Sequence, residues 1–138
     1  MSVTVSKYAG FCPGVRRADD EIKALIKKRS AGEKIFTLGS LIHNRIYVNF
    51  LKELGVIPID ISELPDILES ADGKKVTVVI RTHGITLGDE RTLYDLREKK
   101  PNLTICDLTC PYVKRLHKIA ADTKSGSEYF IMVGEDYV

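Results

Sequence analysis

The run Lys75-Val76-Thr77-Val78-Val79-Ile80 constrains this chain more than any other stretch. It is β-branched and almost continuously apolar, so a strand built from it has no face fit for water. Such a strand needs a covering layer on both sides, as in a parallel sheet flanked by helices. The remaining sequence repeats strand, turn and helix. Val3-Thr4-Val5-Ser6 alternates apolar and polar like a first strand, and Gly10-Phe11-Cys12-Pro13-Gly14 reads as a turn. Val15, Ala18, Ile22, Leu25 and Ile26 recur at helical spacing, which predicts a helix over 13–29, with Gly32 just past its end. Ile35-Phe36-Thr37-Leu38 predicts a second strand. A helix over 44–54 is expected to bury Ile46 or Tyr47, Phe50, Leu51 and Leu54, with Gly55 as its stop. Val56-Ile57-Pro58-Ile59 contains a proline, which places it at a sheet edge or outside regular structure. A short helix is expected over 62–69. Thr86 and Asp89 resemble a capping box opening a helix to about Lys99. Leu103 to Cys106 is a strand, Pro111 to Thr123 a helix, and Tyr129 to Val133 a final strand. Strands alternating with helices imply an α/β fold: a three-layer, mainly parallel, doubly wound sheet with right-handed crossovers.

The chain ends a few residues after that last strand, with no helix to cover it. Such an edge invites pairing, so self-association through it is expected, or continuation into a larger architecture. Charge is balanced, at +2 over 138 residues with both signs interspersed, which argues against a non-specific nucleic-acid surface. No apolar run approaches membrane-spanning length, and no secretory leader precedes the strand-like opening. Three scattered cysteines do not make a disulfide framework; thiols kept reduced in a cytoplasm are the expectation.

In parallel sheets, ligands sit beyond the carboxyl ends of the strands. The chemically unusual residues cluster there. Cys12 follows the first expected strand, His43 the second, Arg81-Thr82-His83-Gly84 the central one, and Asp107-Leu108-Thr109-Cys110 the next. Cys12 and Cys110 each precede a proline. Proline suits the first helical position, so each thiol is expected at a helix N-cap, where free N–H groups and the positive dipole end favour a thiolate. Either thiol could instead be a packing residue, and the two imidazoles could be structural. Cys106, inside a strand, reads as packing. His117, among charged helix neighbours, reads as a surface residue, and Arg16 and Arg17 read as solvated. Gly14 and Gly84 read as backbone devices for turns or close approach. No phosphate loop, dinucleotide Gly-x-Gly-x-x-Gly turn or Cys-x-x-Cys pair is present.

Four segments, in order, resemble signatures of the 4-hydroxy-3-methylbut-2-enyl diphosphate reductase family of the non-mevalonate isoprenoid pathway. They are Gly10-Phe11-Cys12-Pro13-Gly14-Val15-Arg16-Arg17-Ala18, Leu38-Gly39-Ser40-Leu41-Ile42-His43-Asn44, Arg81-Thr82-His83-Gly84-Ile85 and Asp107-Leu108-Thr109-Cys110-Pro111-Tyr112-Val113. The resemblance implies three similar α/β units around a 4Fe-4S cluster, with residues 1–106 as the first unit and 107–138 as the start of the second. It implies that Cys12 and Cys110 are two of three cluster thiolates. It also implies that His43 and His83 bind the substrate's diphosphate, and that a ferredoxin or flavodoxin donates electrons. The third cysteine and the proton-delivering His-Pro-Glu segment of that family have no counterpart in these 138 residues, so no catalytic acid is assigned within the chain. The competing reading is a shortened, non-catalytic module that binds a metal or an anion through Cys12, Cys110, His43 and His83.

Overall fold

A computed structural model describes residues 2–7 and 9–123. Its centre is a four-stranded, all-parallel sheet in the order β2-β1-β3-β4. The strands are β1 (Lys34–Leu38), β2 (Val56–Ile59), β3 (Val76–Ile80) and β4 (Leu103–Asp107). The apolar run that opens the sequence argument is β3, paired on both sides and buried at every position. Pro58 lies in β2, and β2 is an edge strand, where a missing ladder donor is tolerated.

Five helices surround the sheet among the described residues: α1 (Pro13–Lys27), α2 (Arg45–Glu53), α3 (Leu64–Ser70), α4 (Leu87–Lys99) and α5 (Pro111–Thr123). Alternate strand residues feed two separate cores. Phe36, Leu38, Val76, Val78 and Ile80 pack with Leu64 and Leu68 of α3 and Leu93 of α4. Ile35 and Val79 pack with Ala18 and Ile22 of α1 and Leu51 of α2. The period-2 alternation of a strand thus becomes a three-layer sandwich. Thr86 Oγ1 accepts the Asp89 amide at 3.1 Å and donates to the Asp89 carboxylate at 2.9 Å, capping α4. At the amino end of the strands, the buried Glu33 carboxylate accepts hydrogen bonds from Thr77 Oγ1 (2.7 Å) and the Ser30 amide (2.9 Å) and pairs with Lys75 (3.2 Å).

Two expectations need correction. Val3-Thr4-Val5-Ser6 forms no strand: Val3 is 87% and Val5 75% exposed. Alternation marks a face that a strand could bury, but a strand exists only where a neighbour accepts its ladder, and this segment pairs with none among the described residues. Cys12 therefore opens a helix without closing a strand. In α2, Leu51 is the buried residue and Tyr47 is half-buried, whereas Ile46, Phe50 and Leu54 are exposed. That helix has apolar side chains on too wide an arc for one contact face. The expected strand over 129–133, the stop at Gly126 and self-association through that edge fall outside the described residues.

Candidate metal and anion site

The strand order decides where the chain can hold a ligand. From β1 the chain leaves through α2, on the face shared with α1; from β3 it leaves through α4, on the opposite face. Adjacent strands whose connections depart to opposite faces leave a crevice beyond their carboxyl ends. The two loops that border this crevice carry His43 and His83, whose ring centroids are 4.8 Å apart with planes tilted by 46°. His43 immediately precedes the N-cap of α2, where Asn44 Oδ1 accepts the Tyr47 amide at 3.0 Å. His83 lies in a turn closed by the Gly84 amide on the Arg81 carbonyl at 2.9 Å, with Gly84 at φ +76°. Only glycine adopts that conformation without strain. Both imidazoles are exposed. Partial burial, and then the neighbouring His43 and Arg81, hold His83 below its ordinary pKa. Two rings this close repel when both are protonated, so the pair is best charged when an anion joins them.

The sheet's hydrogen bonding continues past its formal ends. The Leu41 carbonyl accepts both the Thr82 amide (3.3 Å) and Thr82 Oγ1 (2.9 Å). The Thr82 carbonyl in turn accepts the Cys110 amide at 2.8 Å. Main-chain groups thereby level three loops, those carrying His43, His83 and Cys110.

Both thiols stand at helix starts. Cys12 is the N-cap of α1, with Pro13 first in the helix, and its side chain makes no capping bond, which leaves the exposed sulfur free. Cys110 directly precedes Pro111 of α5, and its carbonyl accepts the Lys114 amide at 3.0 Å as an N-cap residue's does. Cys110 Sγ rests on the first turn of α1: a Cβ built on Gly14 would lie 2.6 Å from it. The second thiol thus lies against the helix that the first one caps. This corrects one premise, because the rim is formed by three strand ends and one helix start. Cys106 is half-buried in the α1 and α2 core, where burial and then Glu21 and Asp107 push its thiol pKa up despite Arg17. It has the character of a packing residue.

Two further residues reach this end of the sheet. Arg17 is half-buried and donates from a terminal guanidinium nitrogen to the Thr109 carbonyl at 2.9 Å; it is not the solvated residue that its position among charges suggests. His117 is exposed, and its ring edge lies 3.1 Å from where a Gly84 Cβ would stand. It borders a cavity of about 640 Å³ between α5 and the loop before α4, together with Thr86, Asp107, Thr109 and Lys114. Neither of the two thiols nor His43 or His83 lines that cavity. Among the described residues no three His, Cys, Asp or Glu side chains form a group that could hold a metal ion. No helix of the described residues is long and apolar enough to cross a membrane.

Residues 3–137 match the family model described as LytB protein. The chain belongs to the LytB family. A 4-hydroxy-3-methylbut-2-enyl diphosphate reductase from Aquifex aeolicus (strain VF5) is 36% identical over 135 residues, which are 98% of this chain and 42% of that protein. The enzyme of the same name from Clostridium tetani (strain Massachusetts / E88) is 38% identical over 98% of this chain and 20% of its own length. A solved structure of (E)-4-hydroxy-3-methyl-but-2-enyl diphosphate reductase, described as the terminal enzyme of the non-mevalonate pathway, superposes with a TM-score of 0.70 at 35% identity. That alignment covers 99% of this chain and 43% of the other. The chain therefore spans less than half of these LytB relatives, and its α/β architecture matches that of the solved structure.

Proposed function

We propose that this chain carries the amino-terminal part of a 4-hydroxy-3-methylbut-2-enyl diphosphate reductase site, with Cys12 and Cys110 as cluster thiolates and His43 and His83 as diphosphate ligands. The observation that supports this reading most is the main-chain link Leu41–Thr82–Cys110, which brings an imidazole pair and a thiol to one end of the sheet. The donor set suits an iron–sulfur cluster in two respects. Both thiols are at helix N-caps and reachable from solvent, where a thiolate is favoured. Gly14 leaves Cys110 Sγ the space that any side chain would fill. When bound, such a cluster supplies electrons and an iron centre acting as Lewis acid toward the substrate hydroxyl.

The chain's own residues bind and orient. His43 and His83, protonated in the presence of a diphosphate, donate charge-assisted hydrogen bonds to it. In this reading the remainder of the substrate extends from the imidazole pair toward the thiols. Loss of the hydroxyl as water consumes two electrons and two protons and gives isopentenyl and dimethylallyl diphosphates. A ferredoxin or flavodoxin fits as donor, because it passes single low-potential electrons. The third thiolate and the proton donor are assigned to sequence that this chain does not contain. The non-catalytic module is the less favoured reading, since the relatives that match nearly the whole chain bear the reductase name.

The test is anaerobic reconstitution with iron and sulfide. This chain alone is expected to retain well under four irons. Joined to the carboxyl-terminal portion of a LytB relative, it is expected to hold a cluster and turn over the diphosphate substrate, and Cys12→Ala or Cys110→Ala should abolish both. Stoichiometric zinc that protects both thiols from alkylation, with no cluster in the joined protein, would overturn the proposal.

A further inference from the structure

The proposed site has a support that neither the thiols nor the imidazoles explain. Thr109 O and the Cys110 N–H belong to one planar peptide group, and both of its ends are held. The N–H donates to the Thr82 carbonyl at 2.8 Å. The carbonyl accepts from Arg17 at 2.9 Å, across 92 positions of sequence. That peptide plane is gripped at both edges, and the next one is held by the Lys114 amide on the Cys110 carbonyl at 3.0 Å, so the direction in which the Cys110 Cα–Cβ bond departs is set. Arg17 extends from α1, the helix that Cys12 caps and on whose Gly14 the Cys110 sulfur rests. One guanidinium therefore ties the two thiol-bearing segments together.

Stability alone does not account for an arginine here. Its Nε is buried without a hydrogen-bond partner among the described residues, an arrangement that an apolar side chain of similar length would avoid. A long side chain with a charged, forked donor is needed only if the carbonyl must be held. We propose that Arg17 is a positioning residue that fixes the Cys110 thiol relative to Cys12. The purpose of that geometry rests on the reductase reading; the geometry itself does not.

The experiment uses the full chain, reduced and free of iron. Alkylation by iodoacetamide is followed at each cysteine by peptide mass spectrometry, with Cys12 and Cys106 as internal references. In Arg17→Met the Cys110:Cys12 rate ratio is expected to rise about fivefold, with Cys106 still slow and far-ultraviolet dichroism native. In Arg17→Lys, which keeps the charge but loses the fork, it should rise at least twofold. Arg17→Met decides the matter if it folds, and Arg17→Lys decides it if Arg17→Met does not. A ratio unchanged from wild type in the deciding variant overturns the proposal. Failure of both variants to fold also overturns it, because Arg17 would then be a general stability residue. The readout needs no cluster, so a joined protein that never holds one would defeat the reductase reading and leave this test intact.

Discussion

Cys110 Sγ lies so close to Gly14 that a single added methyl would stand 2.6 Å from the sulfur. Gly14→Ala must therefore push the Cys110 sulfur from its position, by turning the thiol or by displacing α1 or the Cys110 loop. We expect a loss of about 1–3 kcal/mol in unfolding free energy, the usual cost of overpacking, and a matching loss of cluster retention in the joined protein. Gly88→Ala is the control. It sits in the first turn of α4 with the nearest atom 3.7 Å from its added Cβ, and should be neutral or gain up to about 1 kcal/mol. Urea titration of both variants checks the contrast.

His83 is held below its ordinary pKa by partial burial, His43 and Arg81. The free protein therefore carries it neutral at pH 7, and a bound diphosphate favours the protonated form. Proton uptake should accompany binding. Affinity for inorganic pyrophosphate should rise as pH falls through the range below 6.5. Calorimetry at two or three pH values, with His83→Gln to correct for titration of pyrophosphate itself, measures it. We expect the variant to lose about tenfold in affinity at low pH, typical of one charge-assisted hydrogen bond, and most of the pH dependence. Equal pH dependence in both proteins would remove His83 from the anion site.

The amino end of the sheet supplies a test of stability. Burial alone would raise the Glu33 pKa, but the Ser30 amide, the Thr77 hydroxyl and Lys75 outweigh it and hold the carboxyl below its ordinary value. A depressed carboxyl contributes stability above the unfolded-state pKa, and that stability drains away as pH falls through the folded-state value. Thermal unfolding temperatures should therefore drop as pH falls below about 4.5. Thr77→Val, which strips one donor from a buried carboxylate, should cost about 1–3 kcal/mol at pH 7. A Tm unchanged by that substitution would contradict the geometry at Glu33.

The three thiols should differ in reactivity. Cys12 is exposed, Cys110 is half-buried at a helix start, and Cys106 is half-buried with a raised pKa. At pH 8 the iodoacetamide rates should fall in that order, with Cys106 slower than Cys12 by about tenfold or more. A fast Cys106 would show that the α1 face of the sheet is not closed.

Much of this arrangement is legible in the sequence because its signals are local. The helix Pro13–Lys27, the buried strand at Val76–Ile80 and the proline-led helix at Pro111–Thr123 follow from spacing, β-branching and capping chemistry within a few residues. What escapes is what depends on partners. Val3–Ser6 has a strand's alternation but no neighbour to accept its ladder among the described residues. Ile46 lies on an apolar arc wider than the contact that α2 makes, and is 83% exposed. Arg17 reads as a surface charge because its acceptor is 92 residues away and is a backbone oxygen. The sequence had one usable hint: a second arginine beside Arg16, directly above the alanine that α1 buries. The clustering of His43, His83 and Cys110 at strand ends is readable from topology, but the bonds that level them are not.

The Leu41–Thr82–Cys110 link is made almost wholly of amides and carbonyls, which every residue but proline supplies in full. Point substitutions in those loops can therefore alter what the side chains recognise while leaving the loops in step. New specificities could evolve by exchanging residues around the crevice one at a time. Only a proline at position 82 or 110, or a change in loop length, would cut the tie.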